Sequence, residues 1–243
     1  MRNKLILLPG WGLGSLPLEV LAEALRRLDE HLLVEIEPLP DLDSGDSREW
    51  LLELDERLPP YTWLGGWSLG GMLASELAAL RGERCCGLLT LASNPCFVAH
   101  DEWPHGMPEA TFNAFYQGCE ENPAATLKRF SLLCSQGAAD PRALARQLNM
   151  AAPHASAEQL LAGLQVLASF DSRDAIQRYA GPQLHLLAGG DALVPAEVAE
   201  ALLTLQPDIE VGLLEEGSHA FPLERPHEVA AAIDAFLTEV RDD

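Results

Sequence analysis

Residues 65–71 read GGWSLGG, from Gly65 to Gly71, a single serine at position 68 among four glycines. Glycine loses more backbone entropy on folding than any other residue, so four of them around Ser68 need a local reason. The preceding Tyr61–Leu64, YTWL, has the aromatic and β-branched character of a short strand. The following Met72–Gly82, MLASELAALRG, has the apolar spacing of a helix. The glycines therefore occupy a strand-to-helix turn. They make either an ordinary glycine turn or a nucleophile elbow, and the rest of the chain decides between the two.

Outward from this turn, six apolar strand-like runs recur. They are KLILLPG from Lys4, LLVEIEPLP from Leu32, YTWLGG from Tyr61, CGLLTLAS from Cys86, QLHLLAGG from Gln183 and IEVGLLEEG from Ile209. Helical patterns separate the first four: LPLEVLAEALRRL, with Ser15 as N-cap and Pro17 in the first turn, then SREWLLELDERL and MLASELAAL. Short strands that are apolar on both faces and alternate with helices predict a doubly wound parallel α/β sheet. The predicted spatial order is second, first, third, fourth, fifth, sixth. Glu35, Glu37 and Pro38 on the Leu32–Pro38 run suit an edge strand.

From about residue 97 to 170 the alternation stops and the sequence is helix-rich. Residues 1–243 are expected to form one domain with this stretch inserted as a helical cap. In open α/β sheets ligands bind outside the carboxyl ends of the strands, and an insertion after the fourth strand can cover that edge.

Gly66-Trp67-Ser68-Leu69-Gly70 is the G-x-S-x-G form of a nucleophile elbow, in which a strained serine leaves no room for flanking β-carbons. The order Ser, Asp, His required by the corresponding hydrolase arrangement is met by Ser68, Asp191 in GGDALVP directly after the fifth strand, and His219 after the sixth. Imidazole can take the serine proton, and a carboxylate can fix its tautomer and stabilise the imidazolium. His227 opens the helix PHEVAAAIDAFL and His185 lies inside a strand, while Asp171 and Asp174 precede the fifth strand rather than follow it. The expected oxyanion donors are the Leu69 amide and the Trp11 amide in the loop Pro9-Gly10-Trp11-Gly12. Trp11 and Trp67 are candidate pocket walls, with a core role equally open for Trp67.

Thirty-seven acidic residues against 16 basic ones give a net charge of −21, which opposes nonspecific binding to nucleic acid or anionic membrane. The N-terminal apolar run Leu5–Leu8 is too short for a signal-peptide core or a membrane span, so a cytoplasmic protein is expected. The five cysteines lack framework spacing and are read as buried thiols.

With these motifs assembled, nearly the whole chain resembles the α/β-hydrolase superfamily, and within it the pimeloyl-acyl-carrier-protein methyl ester esterases of biotin synthesis. The resemblance rests on PGWGL, GWSLGG, LASNPCF followed by DEWP at Asp101–Pro104, LKRF at Leu127–Phe130, and GDALVP. It implies cleavage of the methyl ester of a pimeloyl chain on acyl carrier protein, with no cofactor and no metal. It also implies substrate contacts from Trp11, Ser68 and Leu69, and from the cap segment carrying Phe130, Leu133 and Cys134. A monomer is expected. Arg129 matches a cap arginine that would meet the acidic carrier. Between Pro123 and Met150, Lys128, Arg129, Arg142 and Arg146 face a single acid, Asp140, so the cap is locally basic within an acidic chain.

Three departures accompany the resemblance. Pro9-Gly10 stands where relatives have His-Gly, Cys134 stands where a glutamine is expected, and too few residues precede Lys4 for an N-terminal antiparallel hairpin. The same machinery would serve another small ester, thioester or lactone, and the fold can also persist as a binding module without chemistry.

Overall fold

The computed structural model describes residues 3–153 and 155–242. Six strands form one sheet: β1 (Lys4–Leu8), β2 (Leu33–Ile36), β3 (Thr62–Trp67), β4 (Cys85–Leu91), β5 (Gln183–Ala188) and β6 (Glu210–Leu214). Their spatial order is β2-β1-β3-β4-β5-β6 and every pairing is parallel, as the alternation predicts.

The helices between them are α1 (Leu16–Leu28), α2 (Ser47–Arg57) and α3 (Leu69–Arg81). After β4 come α4 (Glu109–Glu121), α5 (Pro123–Cys134), α6 (Pro141–Ala151), α7 (Ala157–Ser169) and α8 (Arg173–Arg178). The chain closes with α9 (Val198–Leu205), α10 (Phe221–Glu224) and α11 (Pro226–Asp242). α1 packs on α11, and α3 on α2 and α8, two helical layers flanking the sheet. β3 is buried along its whole length, and so is β5. That explains their near-continuous apolar character.

The expected N-cap of α1 is in place but does not cap. Ser15 has helical backbone angles, φ −83° and ψ −30°, and its side chain makes no capping bond. An N-cap hydroxyl reaches the helix amides from the extended region, which Ser15 does not occupy. β2 is shorter than the apolar run suggested, because only Leu33–Ile36 pair with β1. Its edge is salted by Lys4–Glu35 at 2.6 Å and Arg57–Glu37 at 3.7 Å.

No strand lies between β4 and β5 among the described residues. In that interval α4 packs on α5 and α7, and α5 on α6. α5 and α6 each begin with proline behind an Asn or Asp whose side chain accepts a hydrogen bond from an amide in the first turn.

His185 belongs to the sheet rather than to a site. Its Nδ1 is 2.7 Å from the Thr90 hydroxyl and its Nε2 3.3 Å from Gln183 Oε1, whose own amide nitrogen donates to the Ile176 and Tyr179 carbonyls. That arrangement suits a neutral ring protonated on Nε2. Burial pushes its pKa down to about 4. The unfolded chain therefore binds a proton near pH 6.5 that the folded chain refuses until about pH 4, and stability falls as pH drops through that window. The loss expected from this one group is about 3 kcal/mol. Urea unfolding of wild type and His185→Gln between pH 7 and pH 4.5 checks it: the variant should show the shallower decline, and parallel curves would assign the acid sensitivity elsewhere.

Candidate active site

The parallel sheet brings the carboxyl ends of β1, β3, β4, β5 and β6 to one edge, and the loops that follow carry Trp11, Ser68, Ser93, Asp191 and His219. At the end of β3, Ser68 has φ 57° and ψ −120°, a conformation that few non-glycine residues adopt. The backbone holds it there from several sides. The Ser68 amide donates to the Leu91 carbonyl at 2.9 Å, its carbonyl accepts from the Gly71 amide at 2.9 Å, and the Ser93 hydroxyl donates to the same carbonyl at 2.9 Å.

The glycines have their explanation in this packing. A β-carbon on Gly66 would collide with the backbone of Gly70 and Gly71, and one on Gly70 with the carbonyls of Leu8 and Pro9. Strand, helix and first loop meet too closely for side chains there. A β-carbon on Gly10 would lie 3.2 Å from that of Ser68, so the Pro9–Gly12 loop runs directly against the serine. Among the described residues, neither the Trp11 amide nor the Leu69 amide donates a hydrogen bond. Two free donors thus flank Ser68, one in that loop and one at the start of α3.

Asp191 and His219 come together. His219 Nδ1 lies 2.8 Å from Asp191 Oδ2, with both side chains fully buried. Asp191 Oδ1 accepts from the amides of Leu193 at 2.7 Å and Val194 at 3.0 Å, which fixes the carboxylate from behind. His219 Nε2 is buried and has no hydrogen-bond partner among the described residues. The Trp67 indole donates to the His219 carbonyl at 2.8 Å and its ring lies 6.1 Å from the imidazole. Trp67 is fully buried, so of its two open roles it takes the core one, tying β3 to the His219 turn.

The rival residues lie elsewhere. His227 is exposed at the start of α11. Asp174 pairs with Arg178 on α8. Asp171 accepts from Arg173 and from the Cys96 thiol, and the guanidinium holds its carboxyl down at about 2. The ligand atoms of Cys96, His100 and Asp171 lie within 4.8 Å of one another, the one such cluster among the described residues. Burial and the neighbouring carboxylate push the Cys96 thiol up to about 12. A metal there would have to deprotonate that thiol and displace Arg173, so the cluster reads as a structural ion pair.

The residues singled out on α5 and α6 divide. Phe130 packs edge-on against Trp11 at 5.0 Å. Leu133 is half-buried and, with Phe115 and Arg129, lines a groove of about 360 Å³ between α4 and α5. Cys134 is fully buried; its carbonyl accepts from the Ala220 amide, and burial followed by the charge of Asp191 raises its thiol pKa. It therefore lies in the interior close to Asp191. Lys128, Arg129, Arg142 and Arg146 are exposed, and none makes an ion pair among the described residues.

Sequence reading missed two residues at this edge. Ser93 braces the elbow from the end of β4, where a serine after a strand carried no distinguishing signal. Phe115 stacks edge-on against Trp11 at 5.5 Å and contacts Phe130 at 5.9 Å, completing a three-ring cluster. Its role depends on how α4 and α5 pack, which a single helical pattern does not reveal.

The chain is similar to known hydrolases over nearly its full length. The pattern of the alpha/beta hydrolase family matches residues 5–232. A pimeloyl-[acyl-carrier protein] methyl ester esterase of Serratia marcescens is 34% identical over 245 residues, covering 97% of this chain and 94% of that protein. A biotin biosynthesis bifunctional protein of Cellvibrio japonicus is 35% identical over 238 residues. The chain spans only 47% of that bifunctional relative and 45% of the one from Teredinibacter turnerae. Among solved structures, an esterase from Exiguobacterium antarcticum superposes with a TM-score of 0.84 at 18% identity, over 97% of this chain and 92% of that one. A bromoperoxidase from Bacillus anthracis gives 0.82 at 19%, over 98% and 92%. At these identities the structures speak for the fold alone. On the family match and the full-length relatives, the chain belongs to the alpha/beta hydrolase family, in the group that includes the pimeloyl-[acyl-carrier protein] methyl ester esterases.

Proposed function

We propose that this chain is a serine carboxylesterase that removes the methyl ester from a pimeloyl chain carried on acyl carrier protein, leaving a free carboxylate and methanol. The observation that carries the chemistry is the buried Asp191–His219 pair, with its outer imidazole nitrogen unpartnered, at the sheet edge that holds the strained Ser68. The substrate is supported by relatives of that name at 34–36% identity.

In this reading Ser68 Oγ attacks the ester carbonyl while His219 Nε2 takes its proton, and the Leu69 and Trp11 amides stabilise the oxyanion. Collapse expels methanol, which takes the proton back from His219. Water then attacks the acyl-enzyme with the same base, releasing the acid and restoring Ser68. Asp191 holds the proton on Nδ1, so that Nε2 is free to accept. The site needs no cofactor for any of these steps. Trp11, Phe115 and Phe130 form an apolar wall suited to a methylene chain. The four helices Glu109–Ser169 act as its cap.

The exposed cations of α5 and α6 are assigned to the carrier. A protein of net charge −21 repels an acidic partner except where its surface is locally basic, and such a patch steers docking. Arg129 also lines the groove that leads past Phe115 and Leu133. The double reversal Arg129→Glu with Arg142→Glu is expected to lower kcat/KM for carrier-bound ester by about 10- to 100-fold and to flatten its salt dependence. A small soluble ester should be hydrolysed almost normally. Equal loss on both substrates would mean a damaged cap, and no loss on either would place the carrier elsewhere. The reading as a whole is tested by methyl pimeloyl-carrier hydrolysis with the purified chain, alongside covalent labelling of Ser68 by a fluorophosphonate. Absence of both would favour a fold retained for binding.

A further inference from the structure

Glu224 touches none of the reacting groups, yet it accepts three hydrogen bonds at the back of the site. It closes the short helix α10, five residues after His219, and is half-buried. Its Oε2 accepts from the Ser218 amide at 3.1 Å and from the Ser218 hydroxyl at 3.0 Å. Its Oε1 accepts from the Ala139 amide at 3.0 Å, in the turn between α5 and α6. The Ser218 hydroxyl in turn accepts from the Ala220 amide at 3.2 Å, an amide that also donates to the Cys134 carbonyl at 3.1 Å.

The residues on both sides of His219 are thereby fastened to one carboxylate, Ser218 directly and Ala220 through a single hydroxyl. The His219 carbonyl is fastened separately by the Trp67 indole. From these contacts we infer that Glu224 is a positioning residue for the His219 turn, joining it to the cap turn at Ala139; this rests on the reading of His219 as the general base. The imidazole has to serve two oxygens in succession, the serine's and the departing methanol's, and its Nδ1 is already pinned by Asp191. Small displacements of such a group cost large factors in rate without weakening substrate binding. A carboxylate suits the place because both of its oxygens face donors. Glutamine has one acceptor oxygen, so its NH2 would meet either the Ser218 or the Ala139 donors.

The test uses the full chain and a small soluble ester, so that carrier docking plays no part. Glu224→Ala, Glu224→Gln, Ser218→Ala, the double variant Glu224→Ala with Ser218→Ala, and His219→Ala are compared. Glu224→Ala is expected to lower kcat about 30-fold with KM within about twofold, and Glu224→Gln to recover part of the loss. The double variant should be little worse than Glu224→Ala, because the two residues act through one linkage. In proton NMR the low-field His219 Nδ1 resonance should broaden or move upfield in Glu224→Ala, a change that a mere loss of stability in a still-folded sample would not produce. A folded Glu224→Ala with wild-type kcat and an unmoved resonance overturns the inference, as does a double variant whose losses simply add. If Glu224→Ala does not fold, Glu224→Gln and Ser218→Ala carry the test, and wild-type kcat with an unmoved resonance in both overturns it. Inactive His219→Ala beside normal Glu224 variants removes only the role of Glu224, whereas active His219→Ala removes the general-base reading and this inference with it.

Discussion

Ser68→Ala and His219→Ala are each expected to reduce ester hydrolysis by about 10⁴- to 10⁶-fold, because in the proposed mechanism nucleophile and base act as a unit and either loss leaves only the oxyanion donors and substrate binding. The two variants should differ in stability. Ser68→Ala keeps a β-carbon at φ 57°, and the turn is shaped by the Gly66 and Gly70 contacts and the bonds to Leu91, Gly71 and Ser93, none of which involves the hydroxyl. Its unfolding midpoint should stay near that of wild type. His219→Ala strips a fully buried carboxylate of one partner and leaves it two backbone amides, so a loss of about 1–3 kcal/mol is expected with the fold retained. Hydrolysis of a soluble ester, read beside thermal unfolding of both proteins, checks the pair. Activity above a few per cent of wild type in either variant would remove that residue from the reaction.

Much of this architecture can be read in the sequence because its signals are local. Each strand of the parallel sheet is a short apolar run, each crossover has its own helical pattern, and the order of strands follows from connections that keep neighbours close. The meeting of Asp191 with His219 has the same local origin: each lies in the loop after a strand, and neighbouring parallel strands deliver such loops to one edge. The remainder depends on packing between elements. α8 has six residues, too few to establish a helical period. Whether Trp67 walls a pocket or enters the core is decided by a contact with residue 219, and Phe115 acquires its place only through the approach of α4 to Trp11. The full burial of Cys134 likewise follows from the place where α5 ends, its last carbonyl meeting the Ala220 amide. The glycines stand between these cases. Their clustering marked a turn, while the collisions they avoid, with Leu8, Pro9 and one another, follow from the third dimension.

Asp191→Asn is expected to lower kcat by about 10⁴-fold while leaving the fold in place, and the hydrogen bonds around the side chain give the reason. Oδ1 faces two backbone donors, the amides of Leu193 and Val194, and Oδ2 faces His219 Nδ1. An asparagine has one acceptor oxygen and one donor nitrogen, and its NH2 cannot face two N–H groups without leaving all three donors unsatisfied. The oxygen therefore stays with the backbone amides, and the NH2 turns toward His219. Nδ1 then has to accept, which moves the ring proton to Nε2, the nitrogen that the proposed mechanism needs bare to take the proton from Ser68. Geometry is preserved and the tautomer is wrong. By contrast Asp171→Asn disturbs an ion pair with Arg173, and Asp174→Asn one with Arg178, neither of which reaches the imidazole. Both variants should keep activity within about threefold of wild type, as surface ion pairs contribute little. Steady-state rates for the three variants, with ¹⁵N spectra to locate the ring proton of His219, discriminate sharply: a near-normal Asp191→Asn beside an inactive Asp174→Asn would assign the acid to the other carboxylate.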